Sequence, residues 1–184
     1  TQRNNLLKNP DRDLIFETLP VWDEQLCKQA GKIIRARNEF LTKICPIAKE
    51  KHLLLSDGKE VLDLKTESGY YGSEEEISYA LYQDLKTGLD RDLRLGFTGI
   101  GPHRDDIKFI LNGDDARVYG SQGQQRTVAL SLKLAEVEIF KEVFGEYPVL
   151  ILDDVLSELD KKRQRKLVSA VGHLQTVFTA TGID

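Results

Sequence analysis

Asp153 and Asp154 stand together at the end of Val149-Leu150-Ile151-Leu152, an apolar run introduced by Pro148. Four large apolar residues in succession predict a short strand buried on both faces, as a central parallel strand is. In open α/β sheets, ligands gather at the carboxyl ends of the strands. Two carboxylates there are costly unless a cation or hydrogen-bond donors meet them. A nucleotide-bound Mg²⁺ would be such a partner, so a phosphate-transfer site is one reading of the pair. A strand that merely surfaces in an acidic turn is the other. Ser157, Glu158, Leu159 and Asp160 follow closely and extend the acidic segment.

A second candidate lies upstream, at Gly120-Ser121-Gln122-Gly123-Gln124-Gln125-Arg126. The two glycines permit backbone shapes closed to other residues. Ser121 suits the N-cap of a helix whose face is marked by Val128, Leu132, Ala135, Ile139 and Val143. Exposed N–H groups, a hydroxyl and no bulky side chains at a helix start can receive a phosphate. An ordinary cap is the bland alternative. The two segments together, in this order and with one helix between them, are more specific than either alone.

The elements that must hold these residues fall into two parts. Up to about Arg94 the pattern is mainly helical. A short helix ends near Asn9-Pro10, Asp11 to Glu17 makes another, and Asp23 caps a long helix through Ile33, Phe40, Leu41 and Ile44 with a bend at Pro46. Val61 to Lys65 alternates like a strand, and Ser73 with Glu76 forms a capping box for a helix running to about Arg94. Beyond Phe97 the character changes. Ile107 to Leu111, the Asn112-Gly113-Asp114 turn and Ala116 to Tyr119 predict a β-hairpin. The Ser121 helix, the Asp153 strand, a helix capped by Asp160 and a last strand at Thr176 to Thr179 follow. This alternation predicts part of a parallel α/β sheet.

Composition suits a folded piece able to bury a core: 184 residues, 40% hydrophobic and 30% charged. No apolar stretch reaches membrane-spanning length. Cys27 and Cys45 lack metal-ligand spacing and suit reduced thiols in a cytoplasm. A net charge of −4 does not advertise a nucleic-acid binder, so any DNA contact must come from local patches. Candidates are Lys161, Lys162, Arg163, Arg165 and Lys166, and the cations scattered from Lys28 to Lys51. The first cluster sits at a helix N-terminus, the unfavourable end for positive charge, which asks for a reason other than helix stability. Gly101-Pro102-His103-Arg104-Asp105-Asp106 reads as a turn with local Arg–Asp pairs, a metal site being the alternative.

Ser121-Gln122-Gly123-Gln124 resembles the signature motif of ABC-type ATPases, Val149 to Asp154 their Walker B strand, and Ser157-Glu158-Leu159-Asp160 their D-loop. Within that superfamily, which includes the SMC-like proteins, the chain is similar to the RecF family of bacterial replication, recombination and gap-repair proteins. The phrases that carry this are Gln2-Arg3-Asn4-Asn5-Leu6-Leu7, Trp22-Asp23-Glu24-Gln25-Leu26, Gly101 to Asp106 and Gly120 to Arg126. The resemblance implies an α/β fold. The C-terminal half of an ABC-type ATPase head, with signature motif, Walker B and D-loop, would occupy 97–184, preceded by a mainly helical arm-like domain at 1–96. No Gly-x-x-x-x-Gly-Lys-Ser/Thr segment occurs in the chain, and the resemblance puts that P-loop ahead of Thr1. A C-terminal fragment, inactive by itself, is therefore expected.

The resemblance also implies roles. Asp153 would hold Mg²⁺ through its water shell, and Asp154 would stand where a catalytic glutamate is usual. It would orient the attacking water at shorter reach, giving slow hydrolysis of ATP to ADP and phosphate. Ser121, Gln122, Gly123 and Gln124 would clasp ATP bound by the opposite subunit, while Ser157, Glu158 and Asp160 cross that boundary. Thr179 and Thr181 stand where a switch histidine would be expected. ATP and Mg²⁺, both needing the half that carries the P-loop, are the implied cofactors. The implied whole is a cytoplasmic homodimer, formed with ATP, that clamps DNA at single/double-strand junctions or gaps. It would assist recombinase loading with RecR/RecO-type mediators in the SOS response. Other readings are a non-catalytic adaptor that binds repair partners with ATP in a structural role, or another SMC-like ATPase head.

Overall fold

The structure, a computed structural model, describes residues 2–157 and 159–179. In chain order the elements are α1 (Gln2–Leu7), α2 (Arg12–Leu55), β1 (Leu62–Thr66), α3 (Glu74–Thr87), α4 (Leu89–Leu95), β2 (Ile107–Leu111), β3 (Asp114–Asp115), α5 (Ala116–Tyr119), α6 (Gln122–Phe144), β4 (Leu150–Asp153), α7 (Lys161–Val171) and β5 (Thr176–Thr179). They form two compact units interleaved along the chain. One comprises Thr1–Phe40 and Thr66–Ile107, the other Leu41–Lys65 and Lys108–Asp184.

The long helix differs from expectation. Asp23 does not cap it: α2 runs unbroken through Asp23, and through Pro20 and Pro46 as well. An interior proline costs about 3 kcal/mol of helix stability. The offset lies in a buried stripe of Ile15, Leu19, Cys27, Ala30, Ile34, Leu41, Ile44, Ala48 and Leu55, spaced along one helical face. Asp23 and His52 are polar members of the same stripe.

In the first unit, Asp23 accepts a bond from Arg3 Nε at 2.5 Å, while Arg3 Nη1 reaches Asp92 at 2.9 Å and the Thr98 hydroxyl at 2.8 Å. All four residues are buried. A second buried cluster joins Cys27 and Ala30 of α2 to Leu81 and Leu85 of α3. The two helices approach closely at Gly31, where a Cβ would lie 2.7 Å from the Glu74 carbonyl oxygen. The capping box at Ser73 and Glu76 opens α3. The helix stops at Gly88, however, and α4 begins a new one, rather than one helix continuing to Arg94. The Gly101–Asp106 segment is a turn in which Arg37 donates to the Pro102 carbonyl at 3.1 Å and pairs with Asp105 at 3.4 Å.

In the second unit, β2 and β3 pair antiparallel around Asn112 and Gly113, whose φ angles of 53° and 101° meet the demand of a tight hairpin turn. The returning strand is only two residues long. Ala116 to Tyr119 forms a helical turn capped by the Asp115 side chain, not the strand expected. β4 and β5 are parallel, with Leu150 opposite Thr176 and Asp153 opposite Thr179. Their core is Leu150 and Leu152 against Leu130, Leu134 and Val137 of α6 and Leu167 and Val171 of α7. Burial along β4 alternates. Ile151 is 68% exposed and its partner Val177 49% exposed, so the strand is not covered on both faces in this chain. The described helices pack on one side of this pair, and that decides the pattern. No helix among the described residues is long and apolar enough to cross a membrane.

Candidate functional site

The carboxylates at the end of β4 are held by the neighbouring strand. The Thr179 hydroxyl donates to Asp153 Oδ1 and accepts the Asp154 N–H at 3.0 Å, and the Thr179 carbonyl lies 3.2 Å from the same N–H. Asp154 has a φ of 50°, a left-handed backbone that aspartate tolerates better than most residues. The chain turns sharply there. Ser157 closes the turn by donating its hydroxyl to the Asp154 carbonyl at 2.8 Å. Both acids are exposed. A cleft of about 260 Å³ beside Asp153 is lined by Arg126, Ala129, Lys133, Ile151 and Val155. The two carboxylates thus project from a fixed turn, where a hydrated cation could be met without burying charge.

The second cluster forms where α6 and α7 begin. Ser121 caps α6 by accepting the Gln124 N–H at 3.3 Å, and the Gln124 side chain accepts the Ser121 N–H at 2.9 Å. The amide group of Gln124 then donates to Glu60 Oε1 at 3.2 Å. Gly123 is next to Arg163, whose Nη1 would lie 3.2 Å from an added Cβ. Gln122 is exposed. Asp160 caps α7 by accepting the N–H groups of Lys162 and Arg163 at 2.9 and 3.0 Å. Those backbone donors, foremost that of Arg163, hold the Asp160 carboxyl below its ordinary 3.8.

Glu60 and Asp57 are the residues that sequence reasoning missed. They lie in the loop between α2 and β1, and the cations of α7 come to them. Arg163 pairs with Glu60 at 3.3 Å, Lys162 with Asp57 at 2.5 Å and Lys166 with Asp57 at 3.4 Å. The two lysines depress the Asp57 pKa, Lys162 most. This explains how α7 carries a basic first turn: the opposing charge comes from another element. Lys161 and Arg165 are exposed, and no ion pair of theirs is found among the described residues. Gln164 was missed as well. Its amide donates to the Leu156 and Leu159 carbonyls at 2.7 and 3.1 Å and so fixes the turn before α7. No local signal in the sequence pointed to Glu60, since its partners are far along the chain.

The structure therefore brings Asp153, Asp154, Ser157 and Thr179 together. It separately brings Ser121, Gln124, Asp160 and Arg163 together around Glu60. Among the described residues, no hydrogen bond or ion pair joins the two groups. Glu158 and Thr181 lie outside the described residues.

No protein-family model matches the chain. Over 184 residues it is 47% identical to the DNA replication and repair protein RecF of Lachnoclostridium phytofermentans, a match covering 100% of this chain and 49% of that protein. For the RecF of Halothermothrix orenii the identity is 46% over 189 residues, covering 98% of this chain and 50% of the relative. The chain spans about half the length of the curated relatives it matches. A solved structure of the recombination mediator protein RecF-ATP in the RecFOR pathway superposes with a TM-score of 0.80 at 36% identity, covering 100% of this chain and 50% of that one. For RecF-ATPrS of the same pathway the TM-score is 0.81 at 37% identity, covering 98% and 50%. The mixed helix and strand fold, with its parallel pair and helical region, is shared with these proteins.

Proposed function

Because this chain belongs to the RecF family, we propose that it is half of a DNA-repair ATPase whose nucleotide site is completed between two subunits. The observation that carries this reading is the pairing of Asp153 and Asp154 on a fixed turn at the end of β4 with a capped, glycine-bearing start to α6. We assign 97–184 to the ATPase head and 1–96 to an arm. The other half of the intact protein would supply the P-loop that cradles ATP, so the chain alone is inactive.

Asp153 would hold Mg²⁺ through its water shell, and the ion would supply charge neutralisation at the phosphates. Asp154 orients the attacking water. Ser121, Gln122, Gly123 and Gln124 offer the α6 N-terminus to ATP on the opposite subunit. Ser157, Glu158 and Asp160 lie at that boundary. DNA at junctions or gaps is the substrate surface, RecR/RecO-type mediators are the partners, and the cytoplasm is the setting. Within the basic run we assign DNA contact to Lys161 and Arg165, because Lys162, Arg163 and Lys166 are engaged by Asp57 and Glu60.

Ser121→Arg tests this in the intact protein. The variant places bulk and charge at the subunit boundary while sparing the P-loop half. ATP binding within one subunit should stay within about twofold, whereas ATP-dependent dimers, hydrolysis and DNA retention should be lost. If Ser121 is only a cap, the cost is a destabilisation of about 0.5–2 kcal/mol with nothing specific to nucleotide. A variant that melts lower yet still dimerises with ATP would refute the assignment.

A further inference from the structure

We propose that Glu60 is the positioning residue that fixes the start of α6 against the start of α7, with the α2–β1 loop as its mount. This rests on the reading of Ser121–Gln124 as the clasp for ATP held by the partner. Glu60 is remote in sequence from every motif, yet its carboxylate meets three elements. Oε1 accepts from Gln124 Nε2 at 3.2 Å and from Arg163 Nη2 at 3.3 Å, and Oε2 lies 3.2 Å from His52 Nε2. The other ring nitrogen of His52 is 3.1 Å from the Ser131 hydroxyl, one helical stretch further along α6. His52 is fully buried, and burial drives its pKa below the ordinary 6.5 against the pull of Glu60.

The mount is rigid for identifiable reasons. Asp57 and Gly58 both take left-handed backbone conformations, with φ of 60° and 72°, and the Gly58 N–H returns to the Leu53 carbonyl at 2.7 Å to finish α2. The Ser56 hydroxyl then brackets Glu60, accepting its N–H at 3.3 Å and facing its carbonyl at 3.4 Å. Asp57, on the same loop, holds Lys162 and Lys166 of α7.

The consequence is geometric. Gln124 is the residue whose side chain completes the cap on Ser121, and Arg163 is the one against Gly123. A single carboxylate oxygen therefore sets the spacing between the segment that faces the partner's phosphate and the helix that follows the boundary turn. Charge-assisted bonds to one acceptor fix such a spacing more tightly than apolar contact does. Glu60 touches neither nucleotide nor metal in this scheme, so it positions and does not catalyse.

The test uses the intact protein. Glu60→Ala should leave ATP binding within one subunit unchanged to about twofold but weaken ATP-dependent dimerisation and hydrolysis by about tenfold or more, as expected for losing the bonds that Gln124, Arg163 and His52 make to one carboxylate. Glu60→Gln keeps the acceptor oxygen and should recover most of the dimer. Arg163→Ala should act like Glu60→Ala, and the double variant should be no worse than either single. Should Glu60→Ala fail to fold, Arg163→Lys carries the test, with the same dimer loss at an unchanged melting temperature. A Glu60→Ala or Arg163→Lys protein that dimerises with ATP as the natural one does would overturn the proposal. If Ser121→Arg also dimerises normally, the reading of the clasp has failed instead.

Discussion

Thr179 lies opposite Asp153 across the parallel pair, and its one hydroxyl serves both neighbouring acids. It donates to the Asp153 carboxylate and accepts the Asp154 N–H at 3.0 Å. Thr179, at the place of a switch histidine, is thereby a clip on the two acids.

Thr179→Val keeps the shape and removes the clip. It should lower stability by about 0.5–1.5 kcal/mol for each hydrogen bond lost, read from the denaturant midpoint. Thr179→Ser should recover most of this. A Thr179→Val protein as stable as the natural one, beside a less stable Thr179→Ser, would mean that the methyl packing, not the hydroxyl, carries the effect.

At Asp154 the backbone and the carboxylate can be separated, because φ is 50°. Asparagine tolerates this conformation, whereas alanine pays about 1–2 kcal/mol for it. Asp154→Asn should therefore match the natural stability, retain ATP-dependent dimers and stop turnover in the intact protein, while Asp154→Ala also melts lower. Undiminished hydrolysis by Asp154→Asn would show that another group activates the water.

Among the described residues, Arg3 is the only cation paired with the buried Asp23, and it also meets Asp92. Arg3→Met should destabilise the first unit by about 3–5 kcal/mol, since it leaves two buried carboxylates facing one another's field. Adding Asp23→Asn should return part of that loss. Thermal unfolding of the single and double variants measures both.

Burial pushes the Cys27 thiol up to about 12 from its ordinary 9.0. The folded state thus keeps its proton where the unfolded chain gives it up. The contribution is intact below pH 9 and is lost as pH rises from there toward 12. Denaturant midpoints across this range should fall less steeply for Cys27→Ala than for the natural chain. Identical slopes would show that Cys27 ionises freely in the fold.

Local chemistry was legible in the sequence. The Asn112-Gly113 turn, the box at Ser73 and the caps at Ser121 and Asp160 all stand where residue types put them, because a cap or turn is satisfied within four residues. What failed was set by distant partners. Asp23 resembles a cap because nothing nearby announces Arg3. The Val149–Leu152 run read as doubly buried because four apolar residues cannot say whether a second layer is present. Glu60 was invisible for the same reason: its meaning comes entirely from Gln124, Arg163 and His52.

Gly31 carries a consequence best put in genetic terms. Every missense change from a glycine codon adds a side chain, and here even the first carbon meets the Glu74 backbone and the Ser78 hydroxyl that bonds the Cys27 carbonyl. Backbone cannot rotate aside as a flexible side chain can, so α2 and α3 would have to part. No missense allele at this codon escapes the collision, alanine included. In a deep mutational scan, position 31 should appear as a column without a single tolerated substitution, though it is remote from Asp153 and Ser121 in the sequence and belongs to neither cluster.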